Sequence, residues 1–215
     1  ILHKEERNKI QKKLCKSFVN LYSSTEGGAV SILSPYDSQE KSGSVGLAAY
    51  MNTFEVVDSN NEPLPAGEIG RIRQKAPWIP GGFYNNIEES KKLFVDGWYY
   101  TGDLGKTDSD GYLYIVGRVK DMIIRGGVNI YPSEIEDLLC EHQNVLDASV
   151  VPWQSKELGE EVAAFVIKTG YVEEDDLINH CKKFLAPYKV PRAVFFLEDL
   201  PKSPQGKVLK KELSD

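Results

Sequence analysis

The chain has 215 residues, enough for one large domain or two small ones around a real core. Its 26 basic and 32 acidic side chains leave a formal net charge of −6, so it lacks the basic character of a nucleic-acid binder. No apolar run approaches the roughly 18 residues of a membrane helix, and the opening "ILHKEERNKIQKKLCKSF" is too charged for a signal peptide.

Cys15, Cys140 and Cys181 are far apart and show no C-x-x-C spacing, which predicts neither a disulfide framework nor a zinc site and fits a reducing cytoplasm. His3, His142 and His180 are equally scattered and receive no ligand role.

The opening residues place Ile10, Leu14 and Phe18 at four-residue spacing, the pattern of a helix; a chain that starts on Ile1 inside such a pattern reads as a piece of something larger. "FVNLY" then predicts a strand that gives way to a polar loop, "SSTEGG". From Ser44 to Arg73, "FEVV", the turn segment "DSNNEPLPAG" and "EIGRIR" predict short antiparallel strands in a sheet or barrel. "IEESKKLF" predicts a short helix and "YLYIV" a strand.

The style changes beyond Gly117. "DMIIR" predicts a strand, and Pro132 opens a helix with Ile135, Leu138 and Leu139 on one face. "DASVV" and "VAAFVIK" follow as strands, "EEDDLINHCKKFL" as a helix with acids first and lysines last, and "AVFFL" as a last strand before a proline-rich tail. The expected fold is α+β in two parts. An antiparallel β-rich part, 1–119, precedes a small mixed α+β domain, 120–215, with the boundary between Gly117 and Asp121.

Four polar stretches read as loops that carry chemistry: "YSSTEGG" at Tyr22, "YYTGD" at Tyr99, "GRVKD" with "RGGVN", and "PKSPQGK" at Pro201. Each alone is commonplace, since Thr-Glu, Gly-Asp and a tail lysine occur in ordinary turns. In this order, from about Asn20 to the end, they resemble the adenylate-forming superfamily of acyl-CoA synthetases, peptide-synthetase adenylation domains and firefly luciferase. The resemblance implies the end of a large N-terminal region followed by a small mobile C-terminal lid.

It also implies a reaction and a set of roles. A carboxylate attacks the α-phosphate of ATP, pyrophosphate leaves, and the acyl-adenylate passes to a thiol such as coenzyme A. Lys207 matches the lysine that reaches the carboxylate and phosphate. Tyr22 matches the residue against adenine, Thr25 the one near the phosphates and Glu26 the ligand of Mg²⁺. Asp103 and Arg118 match the two ribose contacts, and Lys120 the hinge. Gly126 and Gly127 match the loop that lines the thiol channel once the lid has rotated, although two glycines there also suit a plain tight turn. Ser23 stands where the family usually has glycine, and Val128 where it often has glutamate.

The family's phosphate loop, a Ser/Thr/Gly-rich run ending Pro-Lys-Gly, is absent from these 215 residues. The expectation is an acid-thiol ligase parent that activates a carboxylic acid, fatty acids among the candidates, with the chain inactive alone. The alternatives are an adenylation domain loading carrier-bound pantetheine, a non-catalytic nucleotide-binding module, and a luciferase-type monooxygenase.

Overall fold

The computed structural model describes residues 4–37 and 39–214. The chain divides into two compact units, Ile1–Val119 and Lys120–Asp215, and antiparallel pairing dominates both. No helix among the described residues is long and apolar enough to cross a membrane.

In the first unit, helix α1 (Lys4–Lys13) is followed by β1 (Asn20–Ser24), β2 (Gly28–Leu33) and β3 (Leu47–Ala48), an antiparallel three-stranded sheet in that order. α1 is shorter than the apolar spacing predicts. Its last bonds run from the Leu14 and Cys15 amides to the Ile10 carbonyl, Leu14 is 81% exposed, and Phe18 lies beyond it. The chain has to leave the helix there to enter β1 at Asn20, which pairs with Leu33.

The second sheet holds β4 (Thr53–Val57), β5 (Gly70–Lys75), β6 (Phe94–Val95), β7 (Trp98–Thr107) and β8 (Leu113–Arg118), with α2 (Ile87–Leu93) just before β6. Its order is β4-β5-β7-β6, and β8 shares with β6 the edge of β7 that β5 leaves open. Backbone bonds between Val45, Gly46 and Leu113 join the two sheets. Val30, Val45, Val56, Ile72 and Leu113 form the shared core, with Tyr22, Phe54 and Ile115 packed on it.

α2 starts as its sequence directs. The Asn86 side chain accepts from the Glu89 amide, two acids occupy the first turn and two lysines the last.

The second unit begins with β9 (Ile123–Arg125) and β10 (Val128–Ile130), then α3 (Pro132–Cys140), β11 (Val145–Ser155), β12 (Gly159–Lys168), α4 (Glu174–Phe184) and β13 (Ala193–Leu197), and ends in α5 (Lys211–Ser214). β11 and β12 form a long antiparallel hairpin, and β13 returns through α4 to pair with β12 in parallel. Ile135, Leu138 and Leu139 of α3 and Leu177 and Cys181 of α4 are buried on the sheet with Val150, Val162, Ala164 and Val166. α3 takes Pro132 as its first residue, where the missing amide costs nothing. α4 is started by reciprocal caps between Glu173 and Asp176.

Candidate active site

Tyr22 and Ser24 lie on β1, and the chain turns through Thr25, Glu26 and Gly27 into β2. Thr25 and Glu26 therefore sit on a tight hairpin rather than on an open loop. Gly28 closes the turn at φ +67, a conformation glycine adopts without a Cβ penalty.

"YYTGD", expected as a loop, is instead part of β7. It reads as a loop because the strand is bulged there. On β5, Arg71 and Arg73 are two residues apart, yet they pair with Leu104 and Tyr100, which are four apart. The extra residues, with Gly102 at φ +79, turn Asp103 away from the regular pleat.

The Tyr22 hydroxyl donates to Asp103 Oδ2 at 2.5 Å. Arg118, which pairs with Asp103 in the β7–β8 register, brings its Nε to 3.5 Å from Asp103 Oδ1. The Asp103 amide in turn donates to Thr101 Oγ1 at 3.1 Å. Three strands thus converge on one carboxylate. Burial, and then the charge and hydrogen bond of Asp103, push the Tyr22 phenol far above its ordinary range.

Glu26 is half-buried, and its Oε2 accepts from the Tyr99 hydroxyl at 3.3 Å. Burial, with the Glu26 charge adding to it, raises the Tyr99 phenol as well. Tyr99 heads the "YYTGD" stretch in the sequence, but nothing there gives it a role of its own. Only its place in an aromatic run, "WYY", on a strand beside the bulge marks it.

The first unit therefore brings Tyr22, Asp103 and Arg118 together and sets Thr25 and Glu26 on the adjoining turn. Lys120, Gly126, Gly127 and Lys207 belong to the second unit, and the division at Val119/Lys120 falls inside a single 3-10 turn, Val119–Asp121.

Gly126 and Gly127 form the two-residue turn between β9 and β10, at φ +56 and +83. Positive φ at both positions is what a tight hairpin turn with the natural strand twist requires. The flanking strand is held largely by side chains. Arg125 forms a 2.6 Å ion pair with Glu161 and donates to the Tyr188 carbonyl at 2.8 Å, while the Ile124 amide donates to Glu160 at 2.7 Å.

Lys207 is exposed on a second tight loop. The Gly206 amide donates to the Ser203 carbonyl, the Ser203 amide to the Lys207 carbonyl, both at 2.8 Å, and Gly206 sits at φ +79. Pro204 at the second position and a left-handed glycine at the fourth are the residues such a turn selects. Three residues on, Lys210 is tied to Glu136 at 2.7 Å and to the Val150 carbonyl at 3.2 Å, which anchors the tail to α3 and β11.

Residues 134–207 match the AMP-binding enzyme C-terminal domain. The second unit thus carries the C-terminal domain of the AMP-binding enzymes. Over 195 residues it is 39% identical to a long-chain-fatty-acid–CoA ligase of Salmonella typhimurium, a match that spans 90% of this chain and 35% of that protein. The crystal structure of ATP-bound MatB from Rhodopseudomonas palustris superposes with a TM-score of 0.91 at 32% identity, over 99% of this chain and 43% of that one. The o-succinylbenzoate CoA synthetase of Bacillus subtilis, in complex with its acyl-adenylate intermediate, gives 0.89 at 32% identity, over 99% of this chain and 44% of that one. The chain thus spans about a third of the length of the curated relative and under half of the solved ones.

Proposed function

We propose that this chain is the ribose-binding and lid-bearing part of an ATP-dependent acid–thiol ligase, which converts a carboxylic acid to an acyl-adenylate and passes the acyl group to coenzyme A. The observation that carries the reading is Asp103, presented on a strand bulge and flanked by Tyr22 and Arg118. A carboxylate offers about four lone-pair sites on its two oxygens. With one site taken by Tyr22 and Arg118 alongside, Asp103 keeps acceptor capacity for a vicinal diol such as a ribose, and the Tyr22 ring offers a flat partner for a base.

Thr25 offers a hydroxyl donor beside the phosphates, and Glu26 a hard oxygen. Among the described residues no group of three or more His, Cys, Asp or Glu side chains gathers to enclose a metal. That suits Mg²⁺, which keeps most of its waters and takes one or two carboxylates plus phosphate oxygens. When bound there, Mg²⁺ supplies charge neutralisation on the phosphates. Lys207 brings a flexible point charge to the reacting carboxylate and α-phosphate, and its stiff turn suits delivery by a moving domain. Lys120 is the hinge at which the second unit, 120–215, rotates as a lid. Gly126 and Gly127 then leave room for the thiol arm of coenzyme A.

The phosphate loop has no counterpart in these residues, so the 215-residue chain alone lacks a cradle for the β- and γ-phosphates. The test is acid-dependent exchange of pyrophosphate into ATP by the intact protein over a panel of carboxylic acids that includes fatty acids. Exchange with at least one acid, and none from the isolated chain, is expected. No exchange with any acid removes the ligase reading, and exchange by the isolated chain removes its incompleteness.

A further inference from the structure

The turn that presents Thr25 and Glu26 is fixed at the next residue, Gly27, from every side. The Gly27 amide donates to Ser24 Oγ at 2.9 Å, and its carbonyl accepts from the indole Nε1–H of Trp78 at 3.0 Å. A Cβ at position 27 would lie 1.7 Å from Gln74 Nε2 and 2.8 Å from Tyr99 Cδ1. Gln74 is fully buried in β5, and its amide nitrogen and oxygen both lack a hydrogen-bond partner. At Gly28 a Cβ would lie 2.8 Å from Trp78 Nε1.

Trp78 is 46% exposed, so it does not sit there as a core residue. What it contributes is the polar edge of the indole, laid across the Gly27 and Gly28 backbone. Thr25 is exposed, and Glu26 is half-buried with one 3.3 Å bond from the Tyr99 hydroxyl, so their placement follows chiefly the backbone of the turn. Gln74 and Tyr99 press on that backbone from below, and Trp78 ties it at the carbonyl.

We propose that Trp78 is a positioning residue for adenylation: its indole N–H holds the Thr25–Glu26 turn in the geometry that receives the nucleotide phosphates. This rests on the ligase reading above. The residue acts through Gly27 and touches no reacting atom.

The test uses the intact protein and Trp78→Phe, which keeps an aromatic ring and removes the donor. Calorimetry with ATP and Mg²⁺ is expected to show about tenfold weaker binding, the scale of one lost hydrogen bond. Acyl-adenylate formation is expected to fall by a similar factor, while thioester formation from supplied acyl-adenylate and the thermal midpoint stay unchanged. Unchanged nucleotide affinity overturns the proposal, and so does equal loss in both half-reactions with a lowered midpoint, which marks a merely structural role.

Should the variant fail to fold, the ¹⁵N-indole signal of Trp78 in the wild-type protein decides. Protection from hydrogen exchange together with a shift on adding ATP and Mg²⁺ supports the proposal, and exchange at the rate of a free indole, or no shift, overturns it. Wild-type protein without acid-dependent pyrophosphate exchange removes the ligase reading, while the calorimetric and indole measurements still judge the clamp on the turn.

Discussion

Tyr22 and Asp103, 81 residues apart in the chain, are joined by a 2.5 Å hydrogen bond from phenol to carboxylate. The bond links the hairpin that carries Thr25 and Glu26 to the bulged strand that carries Asp103, so the two halves of the proposed nucleotide subsite are built as one object.

That bond also makes stability depend on alkaline pH. Burial first, and then Asp103, raise the folded Tyr22 phenol above its unfolded value of 10.0. Above about pH 10 the unfolded chain releases a proton that the folded chain keeps, so this group's stabilisation is complete below that pH and is lost as pH rises. Each such proton contributes a slope of about 1.4 kcal/mol per pH unit. Tyr22→Phe is expected to flatten the decline in denaturant midpoint between about pH 10 and about pH 11 by up to one proton's worth. Identical slopes for the two proteins would count against the bond.

Asp103→Ala removes the acceptor on which β1, β7 and β8 converge. Hydrogen bonds to charged groups are worth about 1.5–3 kcal/mol, so AMP affinity in the intact protein is expected to fall roughly 10- to 100-fold. Because Asp103 is only half-buried, the fold should survive the change. Calorimetry beside circular dichroism separates the two effects, and AMP binding at wild-type strength would move the ribose subsite elsewhere.

Lys207→Ala is expected to suppress acyl-adenylate formation by the intact protein while sparing thioester formation from supplied adenylate. The side chain is exposed and the turn that carries it is held by backbone bonds, so the substitution leaves the loop in place. Equal loss of both half-reactions in single-turnover assays would contradict the separation of roles.

Gly127→Val places a β-branched residue at φ +83, at a cost of about 1–2 kcal/mol. The expected pattern is the reverse of that for Lys207: adenylation persists and thioester formation falls. An unaffected thioester step would leave the two glycines with only their turn geometry to explain them.

Much of this architecture is legible in the residues. Alternation in "FEVV" and "EIGRIR", the proline that opens α3, the charge polarity of α4 and the apolar runs of β11 to β13 each satisfy a local rule that the tertiary structure then respects. β7 escapes because a bulge imports Thr, Gly and Asp into a strand, so the residues that aim Asp103 are those that disguise the strand. β2 escapes because it starts on the glycine of its own hairpin. The candidate residues stand out only as an ordered set. The roles of Tyr99, Gln74 and Trp78 escape, since an aromatic or a glutamine earns its role from what lies across the sheet, and single-chain periodicity carries no information on that.

The glycine hairpin of β9 and β10 joins its sheet by a single residue pair, Arg125 with Gly159, where β11 and β12 share a ladder of ten. Its polar attachment to the sheet rests on Arg125, Glu160, Glu161 and the bond from the Gly126 amide to the Leu158 carbonyl, while Ile123 and Ile130 at its base are buried in the core. The turn between those two isoleucines, from Ile124 to Asn129, can open as a small cooperative unit without disturbing the ladder behind it. In native-state deuterium labelling its amides should therefore exchange together, well before those of Val150 or Ala164, and Glu161→Gln should quicken that exchange while leaving the slow core as it was.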